Sequence, residues 1–130
     1  MNYRHYREFF RALGNETRLA IVQLLRNRPH YVNEIVESLG IEQSRISHNL
    51  ACLLNCGFVE WEWSGRNKIY RLNSDLSPVL TGIEKHIARY SKSLDACQTL
   101  QRESQPLVVI RRKADPEPPQ RGKGGIRSEK

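Results

Sequence analysis

The stretch from Val32 to Leu72 constrains this chain most. Val32, Ile35, Val36 and Leu39 recur at helical spacing, and Gly40 ends that run. After Ile41 a second amphipathic run extends from Glu42 to Cys56 and stops at Gly57. Residues three and four apart share one helix face, and glycine is the residue that most readily takes the left-handed turn closing a helix. Two helices joined by a tight glycine-containing turn form a helix-turn-helix. The periodicity then changes: Val59, Trp61 and Trp63 alternate with Glu60 and Glu62, and Ser64, Gly65, Arg66 and Asn67 supply turn chemistry before Lys68 to Leu72. A β-hairpin directly behind a helix-turn-helix makes a winged helix, so the expected class is mainly α with a small β-hairpin.

The flanks extend this plan. Tyr6, Phe9, Phe10 and Leu13 predict a first helix over Tyr3 to Leu13; Gly14 breaks it and Asn15 can cap the next. Thr17 to Leu25 then carries Leu19, Val22, Leu24 and Leu25 as buried positions, and Pro29 closes the connection that follows. A last helix is expected from Leu76 to Pro78 onward, to about Lys92, with Leu80, Ile83, Ile87, Tyr90 and Leu94 in steps of three and four. A domain this small fills its core with four helices, so this further stripe predicts a homodimer through the first and last helices.

The 130 residues suit one domain, expected over residues 1–101. Residues 102–130 hold 8 basic and 4 acidic side chains and most of the chain's prolines, which predicts a disordered basic tail with one apolar patch, Leu107 to Ile110. The net charge of +7 permits a nucleic-acid partner. The opening MNYRHYREFF lacks the apolar run of a signal peptide or membrane anchor, which predicts a cytoplasmic protein without a membrane partner. Three cysteines, an odd number in a reducing compartment, favour free or metal-bound thiols over disulfides. With no Gly-rich phosphate loop, credible carboxylate pair or zinc-deaminase pattern, neither an enzyme nor an organic cofactor is expected.

On the second helix of the motif, with Ile46 at zero and about 100° per residue, Leu50, Leu53 and Leu54 fall between about −20° and +80°. Ser44, His48, Ala51 and Asn55 fall on the opposite side and, with Gln43 and Ser47, offer donors and acceptors for base edges. Arg45, Arg66 and Lys68 are the expected phosphate contacts. Cys52 and Cys56 share a flank outside both arcs, beside Arg45. Two thiols at i and i+4 point the same way, and a soft ion binds such a pair once both are thiolates; Cys97 is a candidate third sulfur. Arg45 and His48 near Cys52 would also favour its thiolate, which suits a redox sensor equally well.

The segments FFRALGNETRLAIVQLL and VNEIVESLGIEQSRISHNLACLLNCGFVEWEWSGRNKIYRL resemble the ArsR/SmtB family of winged-helix metalloregulatory repressors over roughly residues 5–92. Within it, NLACLLNCG with a later Cys97 looks like the cadmium- and lead-sensing CmtR-type branch. That resemblance implies a metal site of Cys52, Cys56 and Cys97, the last from the other subunit, so that two sites bridge the dimer. Other metal sites of the family lack their residues. Tyr31 and Asn33 stand where a thiolate pair would open the third helix, and Asp75, Leu76 and Ser77 where an Asp-x-His would open the last, leaving His86 as a remnant.

The expected function is a repressor that binds operator DNA as a homodimer and is released when Cd(II), Pb(II) or As(III) occupies the three-cysteine site. Three sulfurs suit these ions better than zinc, which generally seeks four ligands. The alternatives are a thiol-redox or sulfur-species sensor using the same cysteines, and a DNA-binding winged helix whose cysteines are incidental.

Overall fold

The computed structural model describes residues 1–103. The elements run α1 (Tyr3–Leu13), α2 (Glu16–Asn27), β1 (His30–Tyr31), α3 (Val32–Leu39), α4 (Gln43–Asn55), β2 (Val59–Ser64), β3 (Asn67–Leu72) and α5 (Leu76–Asp95). The chain divides into two compact units, Met1–Lys85 and a second beginning at His86. The expected tail, including Leu107 to Ile110, lies outside the described residues from 104 onward.

The winged helix lies within the first unit. Asn15 caps α2, its side chain accepting from the Arg18 N–H at 3.0 Å. Gly40 turns α3 into α4 with φ 66°, and its N–H donates to the Val36 carbonyl at 2.8 Å. Gly57 ends α4 with φ 78°, after which the Phe58 N–H returns to the Leu53 carbonyl. These turns aim α4 across α2 and α3. Its inner face, Ile46, Leu50 and Leu53, is buried against Ile21, Val22 and Leu25 of α2, Ile35 of α3, and Phe58, Val59 and Tyr70 from the wing side.

The sheet has three antiparallel strands in the order β1-β3-β2. The hairpin pairs Val59 with Leu72 through to Ser64 with Asn67, while β1 sets His30 beside Tyr70. Sequence periodicity did not anticipate β1, because two residues are too short to alternate. On the exposed hairpin face, Arg71 bridges Glu60 at 3.2 Å and Glu62 at 2.9 Å.

Burial corrects two helical faces. In α1 the domain covers Phe9, Ala12 and Leu13, while Tyr6 and Phe10 are 48% and 56% exposed. In α2 the innermost residues are Ile21 and Val22, and Leu19 is left 38% exposed. Periodicity finds an apolar arc, but the neighbouring helices decide which part of it is covered. Leu76 and Leu80 of α5 are buried, and Arg26 of α2 pairs with Glu84. Further along α5, helical geometry breaks at Tyr90 (φ −119°, ψ 19°), and Ile87, Tyr90 and Leu94 are exposed.

Candidate DNA interface and thiol site

All seven residues expected to meet DNA are exposed: Gln43, Ser44, Arg45, Ser47 and His48 on α4, and Arg66 and Lys68 on the wing. Gln43, Arg66 and Lys68 line one open cavity of about 500 Å³ between the start of α3, the start of α4 and the wing. Tyr31, Asn33 and Trp63 share that lining, and the Tyr31 hydroxyl bonds the Ser64 hydroxyl at 2.6 Å. Lys68 does not project freely. Its ammonium sits 4.4 Å from the Trp61 ring centre, with Trp63 edge-on to Trp61, so the two tryptophans hold a cation at the wing by cation–π attraction. Arg45 is also engaged, donating to the Thr17 hydroxyl at 3.3 Å. Ser44 donates to the Glu42 carboxylate at 3.0 Å, which adds an acceptor beside the start of α4 that sequence reading passed over.

Cys52 is half-buried and Cys56 exposed, one helical turn apart, and the Cys56 N–H donates to the Cys52 carbonyl at 3.0 Å. They open into a cavity of about 220 Å³ lined also by Glu8, Arg11 and Ala12 of α1 and Arg18 of α2. The pair therefore faces the helices behind α4, away from Ser44, His48 and Asn55. Burial raises the Cys56 thiol pKa above its ordinary value, and charge repulsion from Cys52 and a hydrogen bond donated by the Cys56 thiol to Cys52 raise it further; the Arg18 guanidinium opposes them. Arg18, which sequence reading did not single out, is thus the cation acting on this thiol.

The structure also supplies a frame for Cys97. It follows the end of α5, its N–H donating to the Leu94 carbonyl at 3.2 Å, and its carbonyl accepts from Gln101 in a helical stretch over residues 98–103. It is partly exposed. Among the described residues, no three His, Cys, Asp or Glu side chains of one chain gather closely enough to hold a metal ion.

The buried polar residue that helix-wheel reasoning left out is Asn49. It is 6% exposed, with its amide nitrogen donating to the Arg45 carbonyl at 2.9 Å and its oxygen accepting from Arg18 at 3.0 Å. A buried side-chain amide needs such partners. An asparagine next to the apolar arc was the available signal.

Residues 15–60, which span α2 through the start of β2, match the family model described as bacterial regulatory protein, arsR family. A probable mercury resistance operon repressor of Streptomyces lividans is 33% identical over 90 residues, covering 68% of this chain and 72% of that protein. The chain belongs to the ArsR family. Two further ArsR-type matches are shorter. The transcriptional regulator NmtR of Mycobacterium tuberculosis is 43% identical over 61 residues, 47% of this chain and 51% of NmtR. CmtR of Mycobacterium bovis is 36% identical over 62 residues, 48% of this chain and 52% of CmtR. The chain thus spans only about half the length of these two regulators. The crystal structure of Rv0081 from Mycobacterium tuberculosis superimposes with a TM-score of 0.67 at 30% identity, covering 72% of this chain and 96% of Rv0081. These relatives are transcriptional regulators by name, in keeping with a DNA-binding winged helix rather than an enzyme. No described helix of this ArsR-family chain is long and apolar enough to cross a membrane.

Proposed function

We propose that this protein is a metal-responsive transcriptional repressor. As a homodimer it binds operator DNA through Gln43, Ser44, Arg45, Ser47, His48, Arg66 and Lys68. A soft thiophilic ion held by Cys52, Cys56 and Cys97 releases it. The observation that carries this is the position of the thiol pair: two sulfurs one turn apart on the recognition helix, lining one cavity that opens toward α1 and α2 rather than toward the DNA face.

The donor set fits a soft ion. Cys52 and Cys56 supply two thiols at one cavity, and the third sulfur is Cys97 of the second subunit, as the likeness to the CmtR-type branch implies. Cd(II), Pb(II) and As(III) all suit three sulfurs, and the bound ion would supply a cross-link between α4 and the segment bearing Cys97. Exposed apolar residues on α1 (Tyr3, Tyr6, Phe10) and α5 (Val79, Ile87, Tyr90, Leu94) support pairing of two subunits through the first and last helices. Two heads related by a two-fold axis then engage half-sites about one DNA turn apart, with Arg66 and Lys68 contributing sequence-independent phosphate attraction.

The test uses a duplex selected by the metal-free protein from a random pool, with fluorescence anisotropy in reducing buffer. Micromolar Cd(II), Pb(II) or As(III) is expected to lower affinity for this duplex, with sulfur-to-metal ultraviolet absorption for three thiolates per site. Cys97→Ser is expected to lose about a third of that absorption. Binding unchanged by all three ions, but abolished by a thiol oxidant, would replace the metal with thiol-redox sensing; binding indifferent to both would make the cysteines incidental.

A further inference from the structure

The Arg18 guanidinium joins three elements. Its Nε donates to the Ala12 carbonyl at 2.6 Å and one terminal nitrogen to the Arg11 carbonyl at 3.3 Å, both at the end of α1. Its other terminal nitrogen donates to the Asn49 side-chain oxygen on α4. Asn49 passes the contact on to the Arg45 carbonyl, and the Arg45 guanidinium returns to Thr17, the residue preceding Arg18. Thr17 and Asn49 are both buried. The first turn of α2 and the middle of α4 are therefore tied by a closed ring of hydrogen bonds whose α4 members, Arg45 and Asn49, flank Ser47 and His48. The same Arg18 lines the cavity into which Cys52 and Cys56 open.

We propose that Arg18 is the positioning residue that couples the thiol pair to the recognition helix, holding Asn49, and through it the Arg45 turn, in the arrangement that binds DNA. This rests on the metal-responsive function above. Arg18 has five N–H donors in a rigid fork, and three protein oxygens already take three of its bonds. A divalent ion held by three thiolates leaves one net negative charge in the cavity that this guanidinium lines. Arg18 is then drawn toward sulfur, and the bond it releases most readily is the one to the neutral Asn49 oxygen on a different helix. Asn49, buried and short of a partner, must reorient, and the Arg45 turn moves with it. A coupling of this kind needs only the differential stability of two arrangements of one ring.

A purely structural staple between α1 and α2 predicts something different, so the experiment separates the two. Arg18→Lys keeps the charge but replaces three separate nitrogens with one, which cannot span the acceptors on α1 and α4 as the fork does, and Asn49→Ala breaks the ring from the α4 side. In the full-length protein, both variants are expected to retain the wild-type Cd(II) charge-transfer absorption per protomer. The ratio of duplex dissociation constants with and without Cd(II) is expected to fall from the usual allosteric range of about 5- to 150-fold to below about 2-fold. The double variant should fall no further. In the wild type, the Asn49 side-chain amide resonances are expected to move on Cd(II) addition. Folded variants that keep the wild-type ratio, or Asn49 resonances that stay in place, overturn the coupling while leaving the metal-responsive function intact. A wild type whose duplex affinity ignores Cd(II), Pb(II) and As(III) alike overturns that function and the coupling with it.

Discussion

Replacing Leu53 by alanine tests the division of the recognition helix into a core face and a DNA face. Leu53 is fully buried among the side chains that join α4 to α2, α3 and the wing. Three carbons leave the core, worth about 2.4 kcal/mol at about 0.8 kcal/mol each. The cavity left behind raises the cost to about 3 to 4 kcal/mol, because close-packed neighbours relax only in part. Against a total stability of about 5 to 15 kcal/mol, the protein remains mostly folded at 25 °C. Its Tm should fall by about 12 to 32 °C, at about 4 to 8 °C per kcal/mol. Circular dichroism melts at fixed protomer concentration read this, since dimerisation makes Tm concentration-dependent. Duplex affinity at 25 °C should change less than about twofold, as the altered side chain faces away from DNA. His48→Ala on the opposite face should do the reverse, holding stability within about 0.5 kcal/mol while weakening duplex binding. Loss of DNA affinity in Leu53→Ala without a fall in Tm, or a large Tm loss in His48→Ala, would refute the assignment of faces.

Arg66→Ala and Lys68→Ala should each lower the slope of log affinity against log salt by about one, measured by anisotropy between about 50 and 200 mM salt. Because the chain's two tryptophans, Trp61 and Trp63, both lie on the wing beside Lys68, intrinsic fluorescence should change in Lys68→Ala and on DNA binding. The Cys56 proton is held more tightly than an ordinary thiol's, so Cd(II) must displace it at neutral pH. Apparent Cd(II) affinity should therefore rise by about one decade per pH unit for this proton alone, up to and beyond the ordinary thiol range, in a competitive-chelator titration. Gly57→Ala meets no atom within 4 Å but keeps a φ of +78°, so its cost is backbone strain of about 1 to 2 kcal/mol, visible as a lower Tm.

Much of the winged helix was legible in local pattern. The bounds of α1 and α3, the Asn15 cap, the Gly40 and Gly57 stops and the hairpin all follow from periodicity and turn chemistry, which act over a few residues. The buried arc of α4 was equally legible, with Ile46, Leu50 and Leu53 inside and Ser44, His48, Ala51 and Asn55 outside. The two-residue β1 was not, nor was the outward placement of Tyr6, Phe10 and Leu19, since both depend on which neighbour arrives from far along the chain.

The cysteine site divides along the same line. Sequence spacing alone put Cys52 and Cys56 one turn apart on a flank of the recognition helix, because helical geometry carries i and i+4 to one side. Tertiary structure decided what that flank faces. Packing α1 and α2 behind α4 brought Arg18, rather than the sequence neighbour Arg45, to the thiols, and turned Arg45 to Thr17. It buried Asn49 between two arginines. The chemistry of the thiol pair depends on charges and hydrogen bonds from residues more than thirty positions away, and only the folded chain brings those together.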